Sequence, residues 1–183
     1  MDLDAKKSCM QVTEIPKQFV DDTWMEVASV EDEDLAVALS QFFSKKQPAL
    51  SEFLLSFSQD LSEDARELAF YVGLVVWRCY EKYFSEKLRC IQPDEVVEQY
   101  KIVEQWIDSF GSVDDRFIER RILSQVDCPQ RNVLKYVVEA IFDGGDDSVH
   151  LTPNDQGGIF LILKVHMDCL DLAVENINRE KLN

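Results

Sequence analysis

The chain has 183 residues, 46% of them hydrophobic and 30% charged, and carries a net charge of −16 from 35 acids against 19 bases. That length and balance suit one globular domain and exclude an intrinsically disordered chain. A surface this anionic repels phosphate backbones and anionic lipid, which excludes sequence-general nucleic-acid binding and leaves another protein as the expected partner.

Six glycines and five prolines are few for this length. Sparse breakers mean long regular elements, and those favour helices over many-turned β-structure. The longest strongly apolar run without a charge is Leu68–Trp77, ten residues between Glu67 and Arg78. A membrane span needs about 20, so this run belongs in a protein core and no membrane is expected. The polar start Met1–Lys7 is not followed by an apolar stretch and does not read as a secretory leader. Five scattered cysteines, Cys9, Cys79, Cys90, Cys128 and Cys169, are an odd number without close pairs, which suggests reduced thiols and a cytoplasmic setting.

In chain order, residues 1–14 lack periodicity and read as a loose tail, with a single helical domain over 15–183. Pro16–Val27 forms a short helix with Pro16 at its first position and Phe19, Val20, Trp24 and Val27 on one side. Ser29-Val-Glu-Asp32 resembles a capping box and opens a second helix, with Leu35, Ala38, Leu39, Phe42 and Phe43 as its apolar stripe. Pro48 stops it and starts a third, facing Leu50, Phe53, Leu54 and Phe57 inward.

Ser62 caps the next helix, which runs to about Lys87 and is apolar all round between Leu68 and Trp77. A helix of that kind must be covered on every side. Pro93 starts another, with Val96, Tyr100, Val103, Ile107 and Phe110 at alternating spacings of four and three, ended by Gly111. Ser112 opens a helix through Val126, and Cys128-Pro129 one through Phe142 that Gly144 ends. Asp143–Ser148 is a loop. Thr152-Pro-Asn-Asp155 then has cap, proline and acid in the order that starts a helix, which would run to about Arg179. The alternation of apolar and polar residues over Leu163–Cys169 competes with this, so that 149–166 could instead be a hairpin; the cap signal favours helix.

The fold expected is therefore all-α: an irregular single-domain bundle of seven or eight helices around a buried central helix at 62–86, with mostly antiparallel neighbours. A solenoid-like stack of helical hairpins is the alternative.

Catalytic chemistry finds little support. Of the two histidines, neither His150 nor His166 has a nucleophile elbow nearby. His166 and Cys169 could share a metal, yet two ligands do not make a site. The paired Glu-x-x-His signature of a di-metal bundle is missing. Asp143, Asp146 and Asp147 lack the spacing of a calcium loop. Gly157-Gly158 has neither the strand nor the Lys-Ser/Thr partner of a phosphate loop. Trp24, Trp77 and Trp106 lie on apolar stripes and read as core.

Arg116, Arg120, Arg121, Arg131 and Lys135 form the one basic concentration. They could receive an acidic partner, or pair internally with Asp115, Glu119, Asp127 and Glu139. No catalytic, metal-ligating or cofactor residues are assigned. The expected function is a non-enzymatic protein-interaction or scaffolding domain. An apolar small-molecule pocket, with or without enzymatic activity, is the first alternative, and an acidic inhibitor of a basic nucleic-acid-binding protein the second.

Overall fold

Seven α-helices account for most of the described residues, 12–109, 128–142 and 151–174, of a computed structural model of the chain. They are α1 (Lys17–Ala28), α2 (Glu33–Lys46), α3 (Pro48–Phe57), α4 (Glu63–Phe84), α5 (Pro93–Asp108), α6 (Arg131–Phe142) and α7 (Pro153–Ala173). A single 3-10 turn, Ser85–Lys87, follows α4, and there is no strand among the described residues beyond one isolated bridge between Leu88 and Val174. The helix expected from Ser112 lies outside the described residues, as do Phe110, Gly111 and the loop at Asp143–Ser148.

Most helix starts follow their local chemistry. Proline occupies the first turn of α3, α5 and α7, where a missing N–H costs no hydrogen bond. The Ser62 side chain accepts the Ala65 N–H at 3.3 Å. Thr152 and Asp155 cap one another reciprocally, so the stretch from 153 to 166 is helix and not hairpin.

Two starts differ from expectation. Pro16 is the extended N-cap of α1 rather than its first helical residue. Ser29 does not open α2: α1 runs on to Ala28, and Ser29 closes it by donating its N–H to the Met25 carbonyl. The cap of α2 is Asp32, whose carboxylate accepts the Asp34 N–H at 2.9 Å. At the far end of α4, Ser85 turns the chain out of the helix at a φ of 51°, a left-handed value unusual for a residue with a side chain.

The core does not gather around one helix. α4 buries an unbroken run from Val72 to Trp77, together with Cys79, Tyr80 and Phe84. α7 is buried as deeply, from Ile159 through Ala173, and packs against α3, α4, α5 and α6. The centre is therefore a pair, α4 with α7, covered by the remaining helices as a closed bundle rather than a solenoid.

The pair is also parallel. The Ser62 N–H at the start of α4 reaches the Asp155 carboxylate at the start of α7. Midway, Gly73 faces Leu163, and near the end the Tyr80 hydroxyl reaches Asp171. The three partners keep a nearly constant offset in number, which only parallel axes allow. α4 and α7 are far apart in the chain, so no short linker makes them antiparallel.

Gly73 is a point of close approach. A Cβ placed there would meet Leu54 Cδ1 of α3 at 2.7 Å and Leu163 Cδ2 of α7 at 3.6 Å. The glycine receives neighbouring helices on two sides and borders no void. Its substitution series follows from that. Gly73→Ala gains about 1 kcal/mol of helix propensity, which the displaced tip of Leu54 largely cancels, so its stability to urea stays close to the parent. Gly73→Leu overpacks both contacts and loses about 1–3 kcal/mol. Equal stability of the leucine variant would show open space beside the glycine.

Candidate functional site

The residues singled out for a basic patch are only partly placed together. Arg116, Arg120 and Arg121 lie outside the described residues. Arg131 and Lys135 sit on the exposed side of α6, and Lys135 Nζ lies 3.5 Å from Glu139, as internal pairing requires. Both members of that pair are about half exposed, so it contributes at most about 1 kcal/mol.

The metal and phosphate candidates resolve into structural roles. His166 is fully buried and stands edge-on to Phe43 at 5.8 Å. Burial, weakly opposed by the Gly73 backbone, pushes it down to about 3, so it is a neutral core residue. Burial also holds the Cys169 thiol up at about 12. No group of three His, Cys, Asp or Glu side chains suited to a metal gathers among the described residues. Gly158 lies inside α7 against the Leu61 side chain, the close packing that its missing Cβ permits. Asp143, Asp146, Asp147 and His150 are outside the described residues.

A polar cluster that sequence reading missed lies along α7. Lys164 bonds both carboxylate oxygens of Asp168, one turn on, at 2.6 Å to Oδ2, and its ammonium stands 5.9 Å from the Trp106 ring centre. Beyond it, the Tyr80 hydroxyl donates to Asp171 Oδ1 at 2.8 Å. Burial raises Asp171 to about 7 against the Tyr80 hydrogen bond, with Asp168 adding repulsion and Lys164 easing it. Burial likewise raises the nearby Cys128 thiol to about 11. The i, i+4 spacing of Lys164 and Asp168 in the expected helix was the available signal. These carboxylates all have partners, and neither groove described next reaches the cluster. It is a buried polar network whose carboxylates pair with Lys164 and Tyr80.

The open surface lies elsewhere. A groove of about 890 Å³ runs between the end of α1, α2, the end of α3 and the first half of α4. Val30, Leu39, Leu55, Phe70, Tyr71 and Leu74 supply apolar surface, and Glu63, Arg66 and Glu67 line it with charge.

It exists because α2 packs with only its C-terminal half. Phe43 is fully buried and Phe42 and Leu39 partly so, but Leu35 is 59% exposed and Ala38 is exposed as well. The expected stripe from Leu35 to Phe43 therefore fails at its first turn. The signal was Leu35-Ala-Val-Ala-Leu39, an apolar run that covers more of a helix than one buried stripe uses. A smaller groove of about 280 Å³ lies between α3 and α5 beside Phe53, Phe57 and Tyr100.

Two further residues expected inside are at the surface: Phe57, and Trp24, which is 42% exposed. Trp77 is wholly buried against Phe42 and Phe43, and Trp106 partly so. Compared with protein-family models, curated proteins and solved structures, the chain matches none.

Asp171 offers a check on the buried network. Its carboxyl titrates at about 7 in the fold against an ordinary value near 4, so its ionisation opposes folding. Its contribution is fully present at pH values below about 4 and is lost as pH rises toward about 7. Asp171→Asn removes this dependence. The stability of the variant relative to the parent should therefore rise between roughly pH 4.5 and 7.5, read from urea melts at each pH. A difference independent of pH would show that Asp171 titrates normally.

Proposed function

We propose that the protein is a non-enzymatic protein-interaction domain of the cytoplasm whose α1–α4 groove receives an apolar surface of another protein. The observation that carries this reading is the groove itself: apolar in its floor, bounded by an exposed Leu55, and open along its length. Contiguous apolar surface at a protein's exterior marks contact sites, whereas singly scattered apolar residues do not.

An enclosed catalytic pocket has less support. Asp168 and Asp171 both have partners, and His166 is neutral and sealed in the core. The four described cysteines, Cys79, Cys90, Cys128 and Cys169, are all free thiols, which fits a reducing compartment. The net charge of −16 weighs against nucleic acid as the partner.

Ala36 and Leu55 line the groove at exposed positions, so Ala36→Glu/Leu55→Glu changes its chemistry without entering the core. The double variant should keep the parent's circular dichroism and melting temperature, and lose a protein that the parent retains in affinity capture. A small molecule retained by the parent in native mass spectrometry and lost by the variant, with identical protein capture by both, would overturn the reading.

A further inference from the structure

Resting on the reading of this groove as a protein-docking site, we infer that its occupant is a basic amphipathic helix. The argument is charge complementarity around an apolar floor. Glu31, Asp32, Glu33 and Asp34 lie between the lining residues Val30 and Ala36, at the start of α2. Asp60, Glu63, Asp64 and Glu67 lie at or beside the lining residues Gln59, Glu63 and Glu67, at the start of α4. All eight side chains are exposed, and Arg66 is the one base among them.

Helix-start chemistry explains some of these acids. Asp32 caps α2, while Glu33, Asp34, Glu63 and Asp64 occupy first turns, where carboxylates meet the positive end of the helix dipole. Glu31, Asp60 and Glu67 lie outside those turns, and none of the described ion pairs uses any of the eight. Acids of α1, α4, α5, α6 and α7 do pair, with Lys17, Arg78, Lys82, Arg89, Lys135 and Lys164, and the Lys82 pair joins α4 to Glu26 of α1. Eight acids that none of the described ion pairs uses thus flank the opening of the apolar groove.

The shape fits a helix. The α4 wall of the groove runs from Glu63 to Leu74, about 17 Å or three turns at 1.5 Å per residue. A helix laid along it places residues i, i+3, i+4 and i+7 against Leu39, Leu55, Phe70 and Leu74. Its opposite edges carry lysine or arginine to the two acidic helix starts. Such a partner gains contact area from the floor, and association rate and selectivity from the rim.

The test uses three labelled peptides of about 18 residues, five helical turns. One has leucines on one face and lysines on the other. The second replaces lysine by glutamate, and the third scrambles the first. Fluorescence anisotropy against the full chain should show the lysine-faced peptide binding at least about tenfold more tightly than either control. Binding should weaken as salt rises from roughly 50 to 300 mM.

Ala36→Glu/Leu55→Glu should cost about tenfold through the floor, and Asp60→Lys/Glu67→Lys, both outside the first turns, a similar factor through the rim, with melting temperatures unchanged. Equal binding of the lysine- and glutamate-faced peptides, both lost on Ala36→Glu/Leu55→Glu, would overturn the basic partner and leave the docking groove standing. Lysine-faced binding that ignores Ala36→Glu/Leu55→Glu would overturn both. A dimer in sedimentation that the same double variant disperses would make a second copy the occupant, and overturn the basic helix.

Discussion

The parallel contact between α4 and α7 is the constraint on which the rest of the structure depends. Two helices that share a direction cannot be joined by a short turn, so the chain between them must travel back before α7 begins. The contact is nevertheless held at both ends and in the middle. Asp155 accepts the Ser62 N–H where both helices start, Gly73 admits Leu54 and Leu163 at mid-length, and Tyr80 donates to Asp171 near the finish. Hydrophobic burial alone tolerates sliding by a helical turn, whereas these polar contacts do not. A shift of one turn would strand Asp171 and the Ser62 amide away from their partners, and a buried polar group left unpaired costs about 1–3 kcal/mol. The register is thus set by a few hydrogen bonds within a large apolar interface.

The same constraint separates what the sequence states from what it conceals. Local signals are read well: the proline starts of α3, α5 and α7, the Ser62 cap, and the Thr152–Asp155 box all stand where their chemistry places them. Each depends on residues within one turn. Ser29 misleads for the same local reason, because it sits between two helices and can serve either, and the extent of α1 decides the matter. The centre of the bundle is non-local. The unbroken apolar run of α4 advertises itself by composition, while α7 hides behind Lys164, His166 and Asp168, which look like the polar half of an alternating strand. Their polarity is internal, spent on one another in the case of Lys164 and Asp168, and neutralised by burial in the case of His166.

The groove was legible only in part. Leu35–Leu39 exceeds the apolar need of a one-sided helix, which is a sign of surface left over. Where that surface would open depends on how α2 meets α3 and α4, and no residue near α2 records it. The aromatic positions teach the same lesson. Trp24 and Phe57 carry the same helical spacing as their buried neighbours, yet lie at the edge of the bundle, where the stripe runs past its cover. Spacing identifies a face, and tertiary packing decides how much of that face is covered.

Core and groove divide the molecule's polar chemistry between them. Inside, the described carboxylates Asp155, Asp168 and Asp171 each have a partner and help to fix geometry. Outside, acids concentrate at the starts of α2 and α4, beside apolar surface that no other described helix covers. α2 is held through its C-terminal half by Phe42 and Phe43 against Trp77, which anchors one wall of the groove to the rigid α4. Its N-terminal half has no such anchor, and there the charge is highest. A partner that brings both apolar contact and positive charge therefore relieves two costs together: exposed leucine surface, and repulsion among carboxylates that the fold leaves without cations.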